Sequence, residues 1–293
     1  MIPLFTSIPP QMARQSKGGK EIGREYALEC IQSWRDSGFD PVTVNAESEG
    51  VSELVRSEGI GLITLKRNAS EQFGRPLVYL DDFINVARSL ADGPVVVTNA
   101  DILLDVTPAM QQQISNIRPG QCLLSRRTDI RDPDSREGQE YTYGYDFFAC
   151  HSQDLARYAN HDFVFGMPWW DHYLPIHMFL SDLKPLQVER PFAFHLAHPE
   201  RWEPDHWIRL GRRFLRTIRS ESSGNRNGTI LASEYLHRCE LAALGSDASL
   251  ASRARAMLRR MTKQGRREND IQTLYRIAEL NMQWLDELGS RPT

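Results

Sequence analysis

The sequence predicts an α/β fold: a mixed, mostly parallel, Rossmann-like sheet with flanking helices, followed by a helical C-terminal region. Three observations predict it. The run VVVT at residues 95–98 is β-branched and unbroken by polar residues, as suits a strand buried on both faces. Through the first 200 residues, short apolar runs alternate with segments of helical period, the pattern of strands joined by helices. After His206 the period is helical to the end. The implied division is an α/β domain over residues 1–204 and a helical extension over 205–293.

Taken in order, residues 2–8 read as a strand. Residues 20–37 read as a helix, because Ile22, Tyr26, Cys30 and Trp34 recur every four positions and share a face. Residues 41–46 and 61–65 are the second and third strands. Residues 77–90 form a helix with Leu80, Phe83, Ile84 and Ala87 inward, and 95–104 the fourth strand. Residues 122–125 and 145–150 read as later strands, separated by a polar, mobile loop over 127–140. A helix follows Pro168 over 169–180, and 186–189 is the last strand. The helical tail is interrupted by SSGNRNG at 222–228 and by a turn at 245–247.

Composition excludes several classes. Apolar content of 41% with 25% charged residues excludes global disorder. No apolar run approaches the roughly 18 to 20 residues a membrane-spanning helix needs. The N-terminal MIPLFTSIPP has neither a basic leader nor a long apolar core, so the expected location is the cytoplasm. Cys30, Cys122, Cys150 and Cys239 form no CxxC pair, which excludes a zinc ribbon or a thioredoxin-like site and leaves reduced core thiols. Charge is uneven: from Asp205 onward 16 Lys and Arg face 10 Asp and Glu, against 19 and 28 before it. An acidic front and a basic tail point to two regions with different jobs.

The buried run at 95–98 stops at Asn99 and Asp101. A strand end turning to solvent would explain both residues. A carboxylate held at the rim of a sheet explains them more sharply, because doubly wound sheets bind ligands beyond the carboxyl ends of their strands. Asp101 could hold a hard divalent cation, with Asn99 as neutral ligand or hydrogen-bond donor. Downstream, HLAHPERW sets His195 and His198 three apart, and an imidazole there could complete a metal site with Asp101. The plainer alternative is two loop histidines stacking on Trp202 or capping a helix.

In FGMPWWDHYLP, Asp171 falls in the first turn of a helix, where the helix end favours an ionised carboxylate suited to a general base. Trp169 and Trp170 beside it suit the apolar faces of a pyranose, or simply a core. In GYDFF, Asp146 opens an apolar strand, either to meet sugar hydroxyls or to pair with Arg126 or Arg127. Those arginines could equally meet a diphosphate.

In this order the pieces resemble a GT-A-fold glycosyltransferase, over residues 2–202. TNADI looks like the D-x-D motif that grips metal and diphosphate in that fold, with Asn99 in place of the first acid. PWWD is similar to the helix-start acid motif of inverting members, and HLAHPERW to their late metal-binding histidine. The resemblance implies a nucleotide-diphosphate sugar donor and a glycan, lipid-linked or protein acceptor. It implies Mn²⁺ or Mg²⁺ on Asp101, His195 and His198, donor contacts from Asn99, Asp101, Asp146, Arg126 and Trp170, and Asp171 as the base of an inverting transfer. With one acid in the motif rather than two, a metal-free variant in which Asp101 contacts ribose or sugar is the alternative.

The rival enzyme is a sugar nucleotidyltransferase, which should carry a glycine-rich, basic phosphate loop after the first strand. SIPPQMARQSKGGKE offers Arg14, Lys17 and Lys20, but has prolines where the tight glycine turn should be. A glycosidase using Asp146 and Asp171 is a third reading. A binding protein is the fourth, resting on WIRLGRRFLRTIRS at 207–220 and RARAMLRRMTKQGRR at 253–267. A solvated basic face on a helix packed against the first domain or a second subunit is the preferred account of those segments. Peripheral contact with the inner face of a membrane comes next, and nucleic acid last. Leu274, Ile277, Leu280, Trp284 and Leu288 recur at helical spacing and need burial.

Overall fold

The computed structural model describes residues 1–157, 162–186, 188, 190–198, 203–221, 226–244 and 263–289. Two compact units emerge: Met1–Tyr141, Tyr145–Gly166 and Leu183–Glu200 form the first, and Thr142–Gly144, Met167–Asp182 and Arg201–Thr293 the second. The second unit therefore takes in segments from within residues 1–204, including the helix that starts near 169.

The first unit runs β1 (Ile2–Thr6), α1 (Gly23–Asp36), β2 (Phe39–Ala46), α2 (Glu53–Ser57), β3 (Gly61–Leu65), α3 (Ser70–Phe73), α4 (Leu80–Leu90), β4 (Pro94–Thr98) and β5 (Ile102–Leu104). It continues α5 (Pro108–Ser115), β6 (Gln121–Ser125), β7 (Thr128–Ile130), β8 (Gly138–Glu140), β9 (Phe147–His151), β10 (Lys184–Pro185) and β11 (Ala193–Leu196). Seven strands form one sheet in the order β10-β6-β9-β4-β1-β2-β3, and four form a second, β5-β11-β7-β8. In the larger sheet only β9 runs antiparallel to its neighbours. This is the α/β, Rossmann-like class expected.

β1 lies between β2 and β4, so the strand order reverses at the β1/β4 boundary, where such sheets open a crevice. The β4 valines are buried as their β-branched run predicts. α1 covers this region through Tyr26, Cys30, Ile31 and Trp34, and the Trp34 indole donates to the Ile102 carbonyl at 2.7 Å. Gly23 opens α1 because the preceding loop crosses it closely: a Cβ there would lie 1.7 Å from the Met12 carbonyl oxygen.

Two expectations need correction. Residues 127–140 are not simply a loop, because β7 and β8 lie within them and pair with each other. Strands of three residues carry too few apolar side chains to announce themselves. Nor is the last described strand at 186–189, of which 187 and 189 lie outside the described residues. β10 precedes that range, β11 follows it, and His195 lies on β11 rather than after a strand.

The second unit contains α6 (Trp170–Leu180), α7 (Pro204–Glu221), α8 (Arg226–Leu244) and α9 (Lys263–Gly289). α7 buries Trp207, Ile208, Leu210, Phe214 and Ile218 and exposes Arg209, Arg212, Arg216 and Arg219. Its apolar stripe is thus already used in packing, and only the basic face remains outward. On α9, Leu274, Ile277 and Trp284 are buried, while Leu280 and Leu288 are partly so. Residues 226–228 belong to α8, whereas 222–225, the turn at 245–247, Trp202 and basic residues 253–262 lie outside the described residues. Among those described, no helix is long and apolar enough to cross a membrane.

Candidate functional site

The polar break after β4 marks a change of sheet. Asn99, Ala100 and Asp101 link β4 of the larger sheet to β5 of the smaller one. The register of the smaller sheet then sets the rest. β11 pairs with β5 so that His195 stands opposite Ile102, next to Asp101, and with β7 so that His195 stands opposite Asp129. His195 Nε2 lies 3.4 Å and His198 Nε2 3.7 Å from Asp101 Oδ2, with the two rings edge to face at 5.0 Å. α1 ties both strands together. The Tyr26 hydroxyl donates to the Asp101 carbonyl at 3.0 Å and accepts from the Leu196 N–H at 2.8 Å.

Behind this trio runs a chain of charged groups. His195 Nδ1 is 2.8 Å from Asp129 Oδ1, which also accepts from Arg127 Nε at 2.8 Å. Arg127 reaches both oxygens of Asp146, at 3.2 and 3.1 Å, and Asn99 Nδ2 donates to Asp146 Oδ1 at 2.6 Å. The amide at position 99 is thus explained: a buried carboxylate needs a donor there, and an acid would set two anions face to face. On the other side, Arg14, from the loop after β1, ion-pairs with Asp101 Oδ2.

The electrostatics follow from these contacts. Burial pushes the Asp101 carboxyl up, but the charge of His195, hydrogen bonds to both histidines and the Arg14 guanidinium outweigh it and hold it well below the usual range. Burial opposes the charged form of His195, yet Asp101 and Asp129 raise its pKa overall. Asp129 is held low against its own burial by the hydrogen bond to His195 and the charge of Arg127.

One carboxylate oxygen and two imidazole nitrogens, all within 4.8 Å of one another, make a donor set that could take a metal ion. Ligand atoms about 2.1 Å from a shared ion stand roughly 3 to 3.5 Å apart, close to the spacings observed from Asp101. Mg²⁺ prefers shells made largely of oxygen, so two imidazoles favour Mn²⁺ or another transition ion. Asp129, on the far nitrogen of His195, stands where a group orienting that ring toward an ion would stand.

The structure brings together Asn99, Asp101, Asp146, His195 and His198 in this one network. Arg126 lies beside it, 3.6 Å from Glu140 and over the Tyr145 ring at 5.7 Å. Asp171 stands in the first turn of α6, in the second unit. Trp170, expected to offer a ring face to a sugar, is 2% exposed, and Trp169 is wholly buried against His172, Trp207 and Phe214. The tryptophans follow the plainer alternative and pack as core. Sequence reasoning missed Asp129 and Tyr26, whose partners lie 66 and as many as 170 residues away.

No protein-family model and no curated protein matches the sequence. Among solved structures, the chain is similar to HddC from Yersinia pseudotuberculosis complexed with GMP-PN, at 10% identity and a TM-score of 0.35, covering 73% of this chain and 100% of that one. A nucleotidyl transferase from Methanothermobacter is 12% identical with a TM-score of 0.39, over 74% of this chain and 99% of that one. The inositol-1-phosphate CTP transferase from T. maritima is 12% identical with a TM-score of 0.32, over 53% and 73%. At such distances the assignment falls to the chemistry of the site itself.

Proposed function

We propose that the chain is a transferase acting on a nucleotide-diphosphate sugar, received at Asp101, His195 and His198 and transferred to an acceptor hydroxyl. The observation that carries this reading is the convergence of Asp101 Oδ2 and the two histidine Nε2 atoms beyond the carboxyl end of β4, beside β1. A divalent ion held there would neutralise charge on the departing diphosphate. Asp129 fixes the His195 ring with Nε2 toward Asp101, and Arg127 anchors Asp129 and Asp146 together. In this reading Asp171 is the base for the acceptor proton, in a single displacement that inverts the anomeric centre. Asp146 does not suit that role, because its side chain is 1% exposed and engaged by Arg127 and Asn99. A glycosidase built on Asp146 and Asp171 meets the same objection.

A second reading, a sugar nucleotidyltransferase, is favoured by one contact. Arg14, in the loop after the first strand, reaches Asp101, and a basic loop at that place is what such an enzyme needs for a triphosphate.

Melting should be measured with UDP, GDP, CMP and dTDP sugars, with and without Mn²⁺. A ligand at about 100 times its dissociation constant stabilises the folded state by about 2.7 kcal/mol. Asp101→Ala should remove the ion-dependent part. With the stabilising donor in hand, the products separate the readings. Free nucleotide with transferred sugar supports glycosyl transfer, whereas nucleoside triphosphate and sugar 1-phosphate on adding pyrophosphate support nucleotidyl transfer. A melting point unmoved across the whole screen sinks both.

A further inference from the structure

Arg14 occupies the oxygen on which the proposed metal ligands converge. Its side chain is 4% exposed, and it pairs with Asp101 Oδ2, the atom that His195 and His198 approach at 3.4 and 3.7 Å. Its backbone is held on both sides: its N–H donates to Glu21 Oε1 at 3.0 Å and its carbonyl accepts from Ile22 at 2.8 Å. Only the side chain is free to change partner. Nη1 donates to the Ala13 carbonyl at 2.8 Å, while the buried Nε–H has no hydrogen-bond partner among the described residues. A guanidinium does not shed its proton, so Asp101 faces a permanent cation. That cation and a divalent ion cannot both sit against one oxygen without strong repulsion.

We infer that Arg14 is a resident counter-cation of this centre, holding Asp101 until a divalent ion takes Oδ2 and then turning to the phosphate anion that accompanies the ion. Its unused Nε–H supplies the donor for that second partner. Arg14 therefore opposes the ion bound alone and supports the ion bound with an anion. The inference rests on the donor-site reading above and deepens it, since it makes ion and phosphate bind as a pair.

The opposed signs give the test. Mn²⁺ binding to the full chain is measured by calorimetry, without sugar or acceptor, in the parent and in Arg14→Gln, with and without inorganic pyrophosphate. Arg14→Gln should bind Mn²⁺ alone about tenfold more tightly, the worth of one hydrogen bond to a charged group. Pyrophosphate should strengthen Mn²⁺ binding in the parent and do so less in the variant. Arg14→Lys, which keeps the charge, should behave like the parent. If Arg14→Gln binds Mn²⁺ no more tightly than the parent, Arg14 is not a competitor and the inference fails, while the donor-site reading stands. Absence of Mn²⁺ binding in both proteins overturns the metal centre and the inference with it. Should Arg14→Gln not fold, arginine-labelled parent protein decides. With Zn²⁺, a diamagnetic ion that takes the same carboxylate and imidazole donors, shown to be bound by calorimetry, the Arg14 guanidinium protons should exchange with solvent faster, and unchanged exchange in the Zn²⁺-bound protein overturns the inference.

Discussion

Asn99 shows how one side chain decides what a motif can be. Its amide donates at 2.6 Å to a carboxylate that is almost wholly buried, 47 residues away in sequence. Asn99→Asp would restore the two-acid pattern on paper and place two anions in contact in the structure. The expected cost is about 1 to 3 kcal/mol of unfolding free energy, read by urea denaturation at pH 7. The deficit should shrink toward pH 5, where protonating the introduced carboxyl gives back a donor. A variant as stable as the parent that binds Mn²⁺ more tightly would show that position 99 is a ligand position instead. The sequence made Asp101 visible because it ends a run of valines. Asp129 stayed hidden because its partners are brought in by strand pairing, with no local signal in the stretch Thr128–Ile130.

α6 is the element on which the proposed chemistry is most exposed to test. Its N-cap, Trp169, has φ of +79°, a left-handed conformation rarely adopted by bulky side chains. The indole compensates by full burial, donating to the Trp207 carbonyl at 3.0 Å. A strained residue held this firmly fixes where the first turn begins, and Asp171 lies in that turn. Asp171→Asn keeps the size of the side chain but cannot accept the acceptor's proton. If Asp171 is the base, turnover with the donor found by screening should fall about 10²- to 10⁴-fold, with donor affinity unchanged. If it only complements the helix end, about 1 kcal/mol of stability is lost and turnover stays near normal. Helix boundaries such as this one were legible from periodicity and Pro168. The role of the tryptophans was not, since aromatic residues that pack a core and those that bind a sugar look alike in sequence.

At the scale of the molecule, acid stability should report on one buried histidine. His172 on α6 is 1% exposed and accepts from Asn281 of α9 at 3.3 Å. Burial lowers its pKa to about 3. The folded chain therefore keeps the ring neutral, while the unfolded chain binds a proton below about pH 6.5. This contribution is present in full above pH 6.5 and is lost progressively as pH falls toward 3, at up to about 1.4 kcal/mol per pH unit. Between pH 6.5 and 5 the parent should lose about 2 kcal/mol more unfolding free energy than His172→Gln. Equal losses would mean that the ring is not held neutral. The α/β class and the helical tail could be foreseen from period and composition. The assignment of residues 167–182 to the second unit could not, because only packing decides which compact unit a helix joins.

The hydroxyl of Tyr26 accepts from an amide 170 residues further along the chain. During synthesis at about 5 to 20 residues per second, that interval is on the order of ten to thirty seconds. Over its later part, once Asp101 has been added, the first four strands can already exist while Asp101 has neither of its histidines and the tyrosine has no amide to receive. The nascent chain thus completes its chemical centre long after it has made the sheet that carries it.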